Sequence, residues 1–548
     1  MVKMAVAQIC GVLFLAALCS SAKLNLNTPT FADSYVVSGL LQLPYAEIKE
    51  PFTAMFDGPN KRSRVDYYNG MVTNLLRGDM GQYGMTLELA PMTNYQVRNQ
   101  RMCFQSNGSV NATVMPQSVL PDLTGFQKVS QELMNGKMCD LWQMKQAIGN
   151  KSNTYSMWLD SRNQDPVRYE MYGFDSLLGS HFDRYYLDYM QYTSGSSIPA
   201  SAFDPPANLT CGGFPGPGAE RQVRMNPMSE YVNHFDQHVD EMFESYKTTH
   251  DKKYKDIKEH EERKHVFRQN VRYIHSKNRA GLKFRVAVNH LADRSAKELK
   301  IMNGYRYSKG SHGGQYFDTS KYNVADLPDQ LDWRIMGAVS QVKDQGVCGS
   351  CWSFGTTGTI EGALAIMSGK VVRLSQQQLV DCSWGEGNNG CDGGEDFRSY
   401  DYIMKKGGLS SEEQYGQYLA ADGYCHDDKV TPVVKVTGYV NVTTWNATAM
   451  KLALFNHGPI SISIDASHKS LSFYSSGVYS DPQCGNKPDD LDHSVLAVGY
   501  GVYMDQPYWL VKNSWSTYWG NDGYVLFSQK DNMCGVLTDP TYATVSVP

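Results

Sequence analysis

The chain reads Gln345-Gly346-Val347-Cys348-Gly349-Ser350-Cys351-Trp352 directly before a predicted helix, and this stretch decides its fold. The helical pattern covers residues 351–367 and ends at Gly369. His493 follows Cys351 by 142 residues and Asn513 follows it by 162. Alone, such a His is more often a core residue and such an Asn a turn residue. Together with the cysteine they form a catalytic set, in which a thiolate attacks a carbonyl, an imidazole moves the proton and an amide orients the imidazole.

These residues resemble the papain/cathepsin L family of cysteine proteases over about the last 320 residues. The resemblance implies an α+β fold: a papain-like protease of two lobes, a helical L lobe and a β-barrel-like R lobe, over residues 327–548. It implies a cysteine endopeptidase that needs no cofactor or metal and acts on peptide or protein substrates. Cys351 would begin the central helix, where the helix N-terminus and an adjacent imidazolium are expected to lower the thiol pKa.

The same resemblance assigns further site residues. Gln345 would complete the oxyanion hole together with the Cys351 backbone N–H. Asp539 would close the bottom of the pocket for the second substrate side chain before the cut bond. We expect the rest of that pocket to be apolar, so that Leu or Phe is preferred and Arg accepted second; an Asp539 that points to solvent is the alternative. The substrate-binding set is Gly393, Gly394, Asp492, Trp515 and Asp539.

Cysteine usage indicates an oxidising compartment. The resemblance pairs Cys348–Cys391, Cys382–Cys425 and Cys484–Cys534 and leaves Cys351 free. Three more cysteines, Cys103, Cys139 and Cys211, precede the protease, so one of them is unpaired or joins another chain. We expect a Cys103–Cys139 bridge.

The first 22 residues have the features of a secretory signal: Lys3, an apolar run from Ala5 to Leu18, and small residues up to Ala22. That run is too short to span a membrane, and no other stretch approaches one. We therefore expect the secretory pathway, with a lysosome, a granule or the cell exterior as destination. Six sequons predict glycosylation, at Asn107, Asn111, Asn150, Asn208, Asn441 and Asn446.

Residues 225–326 predict an inhibitory propeptide. Six residues at spacings of three or four form one stripe along a helix. They are Glu259, Arg263, Phe267, Asn270, Ile274 and Asn278, and they match the E-R-F-N-I-N pattern of cathepsin L-type propeptides. Residues 287–293 resemble the second motif of those propeptides, with Ala287 in place of Gly and Leu291 in place of Phe. His260 and His265 are five residues apart, which puts them off one helical face and argues against zinc.

Charge supports a propeptide that docks on its own enzyme. Residues 225–326 carry 19 Lys/Arg and 14 Asp/Glu, whereas residues 327–548 carry 14 and 24. The resulting +5 and −10 attract each other, although most of the attraction is screened beyond roughly 8–10 Å. No nucleic-acid partner is expected.

Residues 23–211 form an extension that cathepsin L-type enzymes lack, followed by a Gly/Pro-rich linker over residues 212–224. Segments such as 64–68 and 155–159 predict short antiparallel strands, and 126–134 predicts one of the few helical patches. This β-rich domain resembles ependymin-like or lipoprotein-carrier-like half-barrels, although a spacer or targeting domain fits equally. The full order resembles the two-subunit cysteine proteinases of insect haemocytes, in which both subunits arise from one precursor.

Three functions compete on the sequence. The first is an endopeptidase made as an inactive precursor and activated by proteolysis in acid. The second is a dipeptidyl exopeptidase whose extension blocks part of the cleft. The third is a binding protein in which the β domain acts and the protease is vestigial, which the presence of Cys351, His493, Asn513 and Gln345 disfavours.

Overall fold

The computed structural model describes residues 28–92, 99–195, 197–213, 226–233, 237–310 and 312–548. The signal at residues 1–22 and residues 214–224 of the linker lie outside the described residues. The chain combines a β-rich N-terminal region, a helical segment and a papain-like protease, so its fold is α+β.

The extension is one large sheet. Within the described residues it has twelve strands in the order β12-β6-β5-β4-β3-β2-β1-β11-β10-β9-β8-β7, antiparallel throughout except for the parallel pair β6 and β12. The strands are β1 Ser34–Leu43, β2 Ile48–Asp57, β3 Arg62–Tyr67, β4 Val72–Arg77, β5 Met85–Met92, β6 Gln100–Asn107, β7 Gln127–Met134, β8 Lys137–Ile148, β9 Lys151–Asp160, β10 Pro166–Asp175, β11 Ser180–Ser194 and β12 Cys211–Gly213.

Alternating side chains explain the burial of one sheet face. In β1, every second residue from Tyr35 to Leu43 is buried, which is the period of a strand with one face in a core. The helix predicted at 126–134 is wrong, because this segment is the strand β7. The turn Asn135-Gly136, in which both residues have positive φ, joins β7 to β8, and this hairpin signal outweighs the short helical pattern.

The propeptide consists of helices and two short strands. They are α1 Ser229–Val232, α2 Gln237–Thr249, α3 Ile257–Arg279, β13 Phe284–Val286, α4 Ala296–Ile301 and β14 Gln315–Tyr316. The Asp256 side chain caps α3 by accepting from the backbone N–H of Glu259.

The predicted stripe of α3 faces the rest of the propeptide. Arg263 donates to Glu298 on α4 at 2.7 Å. Asn270 donates its side-chain amide to the Ala292 carbonyl at 2.9 Å, within the second propeptide motif. These bonds fold residues 287–298 back onto α3, so the stripe is a packing surface inside the propeptide.

The protease contributes the remaining elements. They are β15 Leu331–Asp332, α5 Cys351–Ser368, α6 Gln376–Cys382, α7 Asp396–Lys406, α8 Glu412–Tyr415, β16 Lys435–Asn441, α9 Ala447–His457, β17 Ile460–Ile464, α10 Lys469–Ser472, β18 Tyr474–Tyr479, β19 His493–Tyr503, β20 Gln506–Lys512, β21 Tyr524–Ser528 and β22 Thr541–Ser546. A second sheet runs β13-β18-β21-β20-β19-β17-β22-β16-β14, and β15 pairs with β19. Propeptide strands therefore form both ends of the protease sheet.

Four disulfide bridges join described cysteines. The protease contains Cys348–Cys391, Cys382–Cys425 and Cys484–Cys534. The expected Cys103–Cys139 bridge is wrong, because Cys103 bonds to Cys211 and Cys139 is a buried free thiol. The parallel pairing of β6 with β12 puts Cys103 opposite Cys211, a contact across 108 residues that local sequence does not encode.

One hydrophobic core runs through all three parts of the chain. It includes Tyr185 of the extension, Phe267 of the propeptide helix and Trp509 of the protease. Across the described ranges, no helix is both long and apolar enough to cross a membrane.

Candidate active site

Helix α5 begins at Cys351, as the sequence predicts, and it ends before Gly369, whose φ of 72° belongs to the left-handed region. Glycine adopts this conformation without a steric penalty and so terminates the helix. The Cys351 side chain therefore lies at the N-terminus of a long buried helix and is itself fully buried.

His493 and Asn513 come together through one hairpin. His493 begins β19 and Asn513 follows the last residue of β20, and the register pairs Leu496 with Lys512. The Nε2 of His493 lies 2.8 Å from the Asn513 Oδ1, and both side chains are buried. The indole of Trp515 lies beside the imidazole, with ring centroids 4.7 Å apart and the ring planes tilted by 33°. This arrangement fixes the ring orientation and shields its hydrogen bond from water.

Gln345 is held with its amide nitrogen toward the cleft. The hydroxyl of Ser514 donates to its Oε1 at 2.6 Å. Its Nε2 donates to the carbonyl of Met302 in the propeptide at 2.7 Å and to that of Cys348 at 2.8 Å. The side chain proposed to bind a substrate oxyanion therefore binds a peptide carbonyl in this structure.

The propeptide crosses the site in an extended conformation. The Tyr305 N–H donates to the Asp492 carbonyl at 2.9 Å, and the Gly394 N–H donates to the Gly304 carbonyl at 2.9 Å. A Cβ on Gly304 would lie 1.7 Å from the carbonyl oxygen of Gly349, so only glycine permits this approach. Gly394 and Asp492 thus bind peptide backbone here, and Gly393 lies beside them with its Cα facing the Gly304 carbonyl.

Burial in the covered site favours the neutral forms of the Cys351 thiol and the His493 imidazole. Burial raises the pKa of Cys351 to about 12, against weaker lowering by hydrogen bonds from the backbone of Ser494 and Gly304. Burial also lowers the pKa of His493 to about 4, although the Asn513 bond opposes this. In the precursor, burial of Cys351 thus outweighs the lowering expected from the helix N-terminus, and the lowered thiol pKa of the active enzyme stays a prediction.

The substrate pocket beside Cys351 is acidic. Tyr305 packs against Cys351 and Leu491, and its hydroxyl donates to the Asp539 carboxylate at 2.5 Å. Asp396 is also buried; burial, together with the charge of Asp539, raises its pKa to about 7. Asp539 is therefore buried against Tyr305 and does not point to solvent, while the apolar character of the rest of the pocket stays a prediction.

Sequence reasoning missed three residues of the site: Tyr305, Asp396 and Ser514. The signal for Ser514 was available, since it directly follows Asn513. Asp396 lies two residues after the cleft glycine Gly394, and an acidic residue at the start of a helix has an ordinary role there. Its proximity to Asp539 requires the tertiary fold.

The predicted glycosylation residues differ in their surroundings. Asn107, Asn111, Asn150 and Asn208 are exposed. Asn441 donates its side-chain amide to the Gly313 carbonyl at 2.7 Å, and the Asn446 side chain caps α9. The last two side chains are thus engaged in the precursor.

One described cluster outside the disulfides has side chains of the metal-binding type: Asp175, Glu261 and His265. Lys264 lies 3.1 Å from Glu261, and Lys151 lies 3.8 Å from it. Two ammonium groups against this carboxylate disfavour a bound cation.

Two segments match family models. Residues 327–544 match the family described as "Papain family cysteine protease", and residues 243–299 match "Cathepsin propeptide inhibitor domain (I29)". Digestive cysteine proteinase 1 of Homarus americanus is 41% identical over 310 residues, which cover 55% of this chain and 94% of that protein. Procathepsin L of Rattus norvegicus is 40% identical over 324 residues, with 57% and 94% covered.

Solved structures also match little more than half of this chain. Digestive procathepsin L 3 of the Tenebrio molitor larval midgut aligns with a TM-score of 0.51 at 36% identity, over 56% of this chain and 99% of that chain. Digestive procathepsin L2 from the same tissue aligns with a TM-score of 0.52 at 34% identity, over the same shares. These relatives are matched almost end to end by little more than half of this chain, so the N-terminal extension is an addition to them.

Proposed function

Because the chain belongs to the papain family of cysteine proteases, we propose that it is an endopeptidase whose Cys351, His493 and Asn513 cleave internal peptide bonds. The observation that carries this proposal is the bond from the Gln345 amide to the Met302 carbonyl, beside the buried His493–Asn513 pair. A peptide carbonyl already occupies the donor that a reacting carbonyl would need.

The proposed reaction has two halves. His493 takes the proton of the Cys351 thiol, and the resulting thiolate attacks the carbonyl carbon. Gln345 and the Cys351 backbone N–H stabilise the oxyanion. The His493 imidazolium gives its proton to the leaving amine as the C–N bond breaks, which leaves a thioester. His493 then takes a proton from water, the hydroxide displaces the thiol and the acid product leaves. Asn513 orients the imidazole in both halves.

The chain carries a cathepsin-type propeptide and is made as a zymogen. We infer that acid releases the propeptide and that the enzyme then cuts its own chain between Tyr322 and Leu327. Tyr322 is held by a 2.7 Å bond to Nε2 of His457, and residues 323–326 are exposed or half-exposed. This stretch is accessible to a second molecule, which is what intermolecular processing requires.

Substrate preference is a finer part of the proposal. When Tyr305 leaves, the Asp539 carboxylate loses its hydroxyl donor in a pocket that also holds Asp396. A basic substrate side chain replaces that bond with an ion pair, whereas an apolar one leaves the carboxylate unpaired. We therefore propose that Arg and Lys rank higher as substrate side chains in this pocket than the sequence alone indicated, where Arg came second to Leu or Phe.

The resemblance to the two-subunit proteinases predicts that the extension, once cleaved, stays bound to the protease as a second subunit. This stays a prediction. A direct ion pair joins Glu47 of the extension to Lys469 of the protease at 3.6 Å, and the Glu47 side chain is 68% exposed. Such a pair contributes little. Among the described residues, the other ion pairs that connect the extension to the rest of the chain are with the propeptide, so retention would depend on the propeptide remaining bound.

The test is a cleavage map. Acid-treated precursor is incubated with an internally quenched peptide, and the products are identified by mass. Cuts at internal bonds support an endopeptidase, and successive loss of dipeptides from one end supports the exopeptidase. If wild type and Cys351→Ala both leave the peptide intact, the protease is vestigial.

A further inference from the structure

Helix α3 has a second buried stripe, opposite the one that the propeptide uses. At about 100° per residue it lies about 180° around the helix from the first stripe. Its members are His265, Arg268, Gln269, Arg272, Ser276 and Arg279. A face of this composition is normally solvated. Here the first five of these residues are between 0% and 8% exposed, because the sheet of the extension covers them.

The centre of this contact is a buried ion pair. Arg272 donates through Nη1 to both oxygens of Asp183, at 2.7 and 2.9 Å, and Gln269 donates to the same carboxylate at 3.1 Å. The Arg272 side chain is 3% exposed and that of Asp183 is 0% exposed. The Nε of Arg272 donates to Glu230 on α1 at 2.7 Å. The guanidinium is therefore fully paired without solvent.

A second pair lies two turns further along the helix. Arg279 donates to both oxygens of Glu50, at 2.5 and 2.9 Å. Ser276 donates to the same carboxylate at 2.7 Å, and Tyr68 shares a 2.6 Å bond with Ser276. Glu50 is fully buried on β2. At the other end of the stripe, His265 bonds to Asp175 at 3.2 Å.

Breaking one of these buried pairs costs more free energy than breaking an exposed pair. Removing one partner of a buried ion pair is strongly destabilising, because the other charge stays buried and unpaired. Between propeptide and protease, Lys309 and Asp489 form a pair at 3.6 Å whose side chains are 82% and 71% exposed. The basic charge of the propeptide is therefore neutralised at its core by the extension and not by the acidic protease.

We propose that the β-rich extension is a binding domain for the propeptide helix, and that this contact keeps the precursor latent. Its partner is an α-helix that presents two arginines two turns apart to the carboxylates of Asp183 and Glu50, with a Gln one turn before the first arginine and a Ser between the two. The latency part rests on the proposed function, since it assumes that propeptide release activates the enzyme. The binding part does not.

The experiment replaces the carboxylates on the extension and leaves the propeptide sequence unchanged. Asp183→Asn and Glu50→Gln remove the charge with little change of shape. Asp57→Asn is the matched control, because Asp57 pairs with Arg62 at 2.8 Å within the same sheet and bonds to no propeptide residue among those described. Each is made in the full chain, with and without Cys351→Ala.

Hydrogen–deuterium exchange of the Cys351→Ala precursors at neutral pH measures binding without activity. We expect the amides of α3 to exchange about ten-fold faster or more in Asp183→Asn and Glu50→Gln. The amides of α5 and the strands of the extension should stay as in wild type. Protection of α3 that is unchanged in both variants overturns the proposal, and so does an equal loss in Asp57→Asn.

Conversion of the active precursors at one acidic pH measures latency. We expect half-times about ten-fold shorter in the two variants and within two-fold of wild type in Asp57→Asn. Adding Arg279→Gln to Glu50→Gln removes the unpaired charge, and conversion should return toward wild type. Faster α3 exchange with unchanged conversion overturns the latency claim. If wild type itself neither converts nor reacts with a thiol-directed epoxide, the proposed function fails while the exchange result still decides the binding claim.

Discussion

The side-chain amide of Gln345 donates to the carbonyl of Met302 at 2.7 Å, so the propeptide occupies the donor that we propose for the substrate oxyanion. Ser514 holds that amide in place from the opposite side. The catalytic groups are thus assembled in the precursor before activation. In the proposed function, latency comes from the propeptide that covers them, and activation would require its removal.

The first prediction concerns the reactivity of Cys351. Because burial raises its pKa to about 12 in the precursor, the thiolate fraction at pH 7 is very small. We expect a thiol-directed epoxide to label the precursor at least about 100-fold more slowly than the processed enzyme. Mass spectrometry of labelled peptides measures both rates, with Cys351→Ala as the blank. Equal rates would show that the propeptide does not control the thiol.

The second prediction concerns Asn513. Asn513→Ala removes the acceptor of the His493 Nε2–H bond, and a hydrogen bond to a charged imidazolium is worth about ten- to a hundred-fold in rate. We expect kcat/KM to fall by that amount while the fold is retained. Asn513→Asp keeps the acceptor and adds a charge, so it should retain more activity and move the imidazolium limb of the pH profile to higher pH. An unmoved profile would argue against a positioning role.

The third prediction concerns His290 and acid activation. Burial, and then the charge of Lys252, lower the pKa of His290 to about 4 from a usual value of 6.5. His290 lies 6.1 Å from the ring of Tyr518 on the protease, so undocking exposes it to water. The docked state favours the neutral ring, and docking therefore weakens as pH falls from about 6.5 to about 4.

His290→Gln cannot gain this proton. We expect its precursor to convert about ten-fold more slowly than wild type at pH 4–5 and equally slowly at pH 7. Asp492 has the opposite sign, since burial raises its pKa to about 6 and protonation in acid favours the docked state. A time course of conversion across this pH range measures the net effect. A His290→Gln profile that coincides with wild type would rule out this trigger.

The fourth prediction concerns substrate preference. In processed enzyme, Asp539→Asn should lower the ratio of kcat/KM for Arg over Leu at the second residue before the cut bond by a few-fold. The wild-type ratio should rise with pH, because burial raises the pKa of both Asp539 and Asp396 and both gain charge as pH rises. Fluorogenic peptides that differ at this one residue measure it. Asp401→Asn, a carboxylate of α7 elsewhere on the helix, is the control.

The local features of the chain could be predicted from its sequence. The helix predicted over 351–367 is observed over 351–368, and the stripe from Glu259 to Asn278 lies on one helix. The hairpin that joins β19 to β20 turns at Met504-Asp505, where both residues have positive φ. Such features follow from backbone periodicity and from residues with special turn conformations, which act over a few neighbours.

Other features required partners far along the chain. The bridge from Cys103 to Cys211 depends on strand order, and the acidic pocket depends on α7 meeting the segment that follows the last disulfide. Burial in the precursor also raises the pKa of Cys351, which is opposite to the direction expected from the helix N-terminus. A helix N-terminus is visible in the sequence, whereas the desolvation that opposes it comes from a propeptide folded over the thiol.

The sequence by itself determined the chemistry of this protein: a thiol at a helix start, a distant imidazole and amide, and a preceding helix with an inhibitory pattern. Only the tertiary structure decided what the charges of that helix bind. Arg272 and Asp183 are 89 residues apart, and their pairing is visible only when the sheet packs on α3. Catalytic identity is written in residue types and local spacing, whereas burial sets the strength and the sign of electrostatic interactions, and burial belongs to the folded whole.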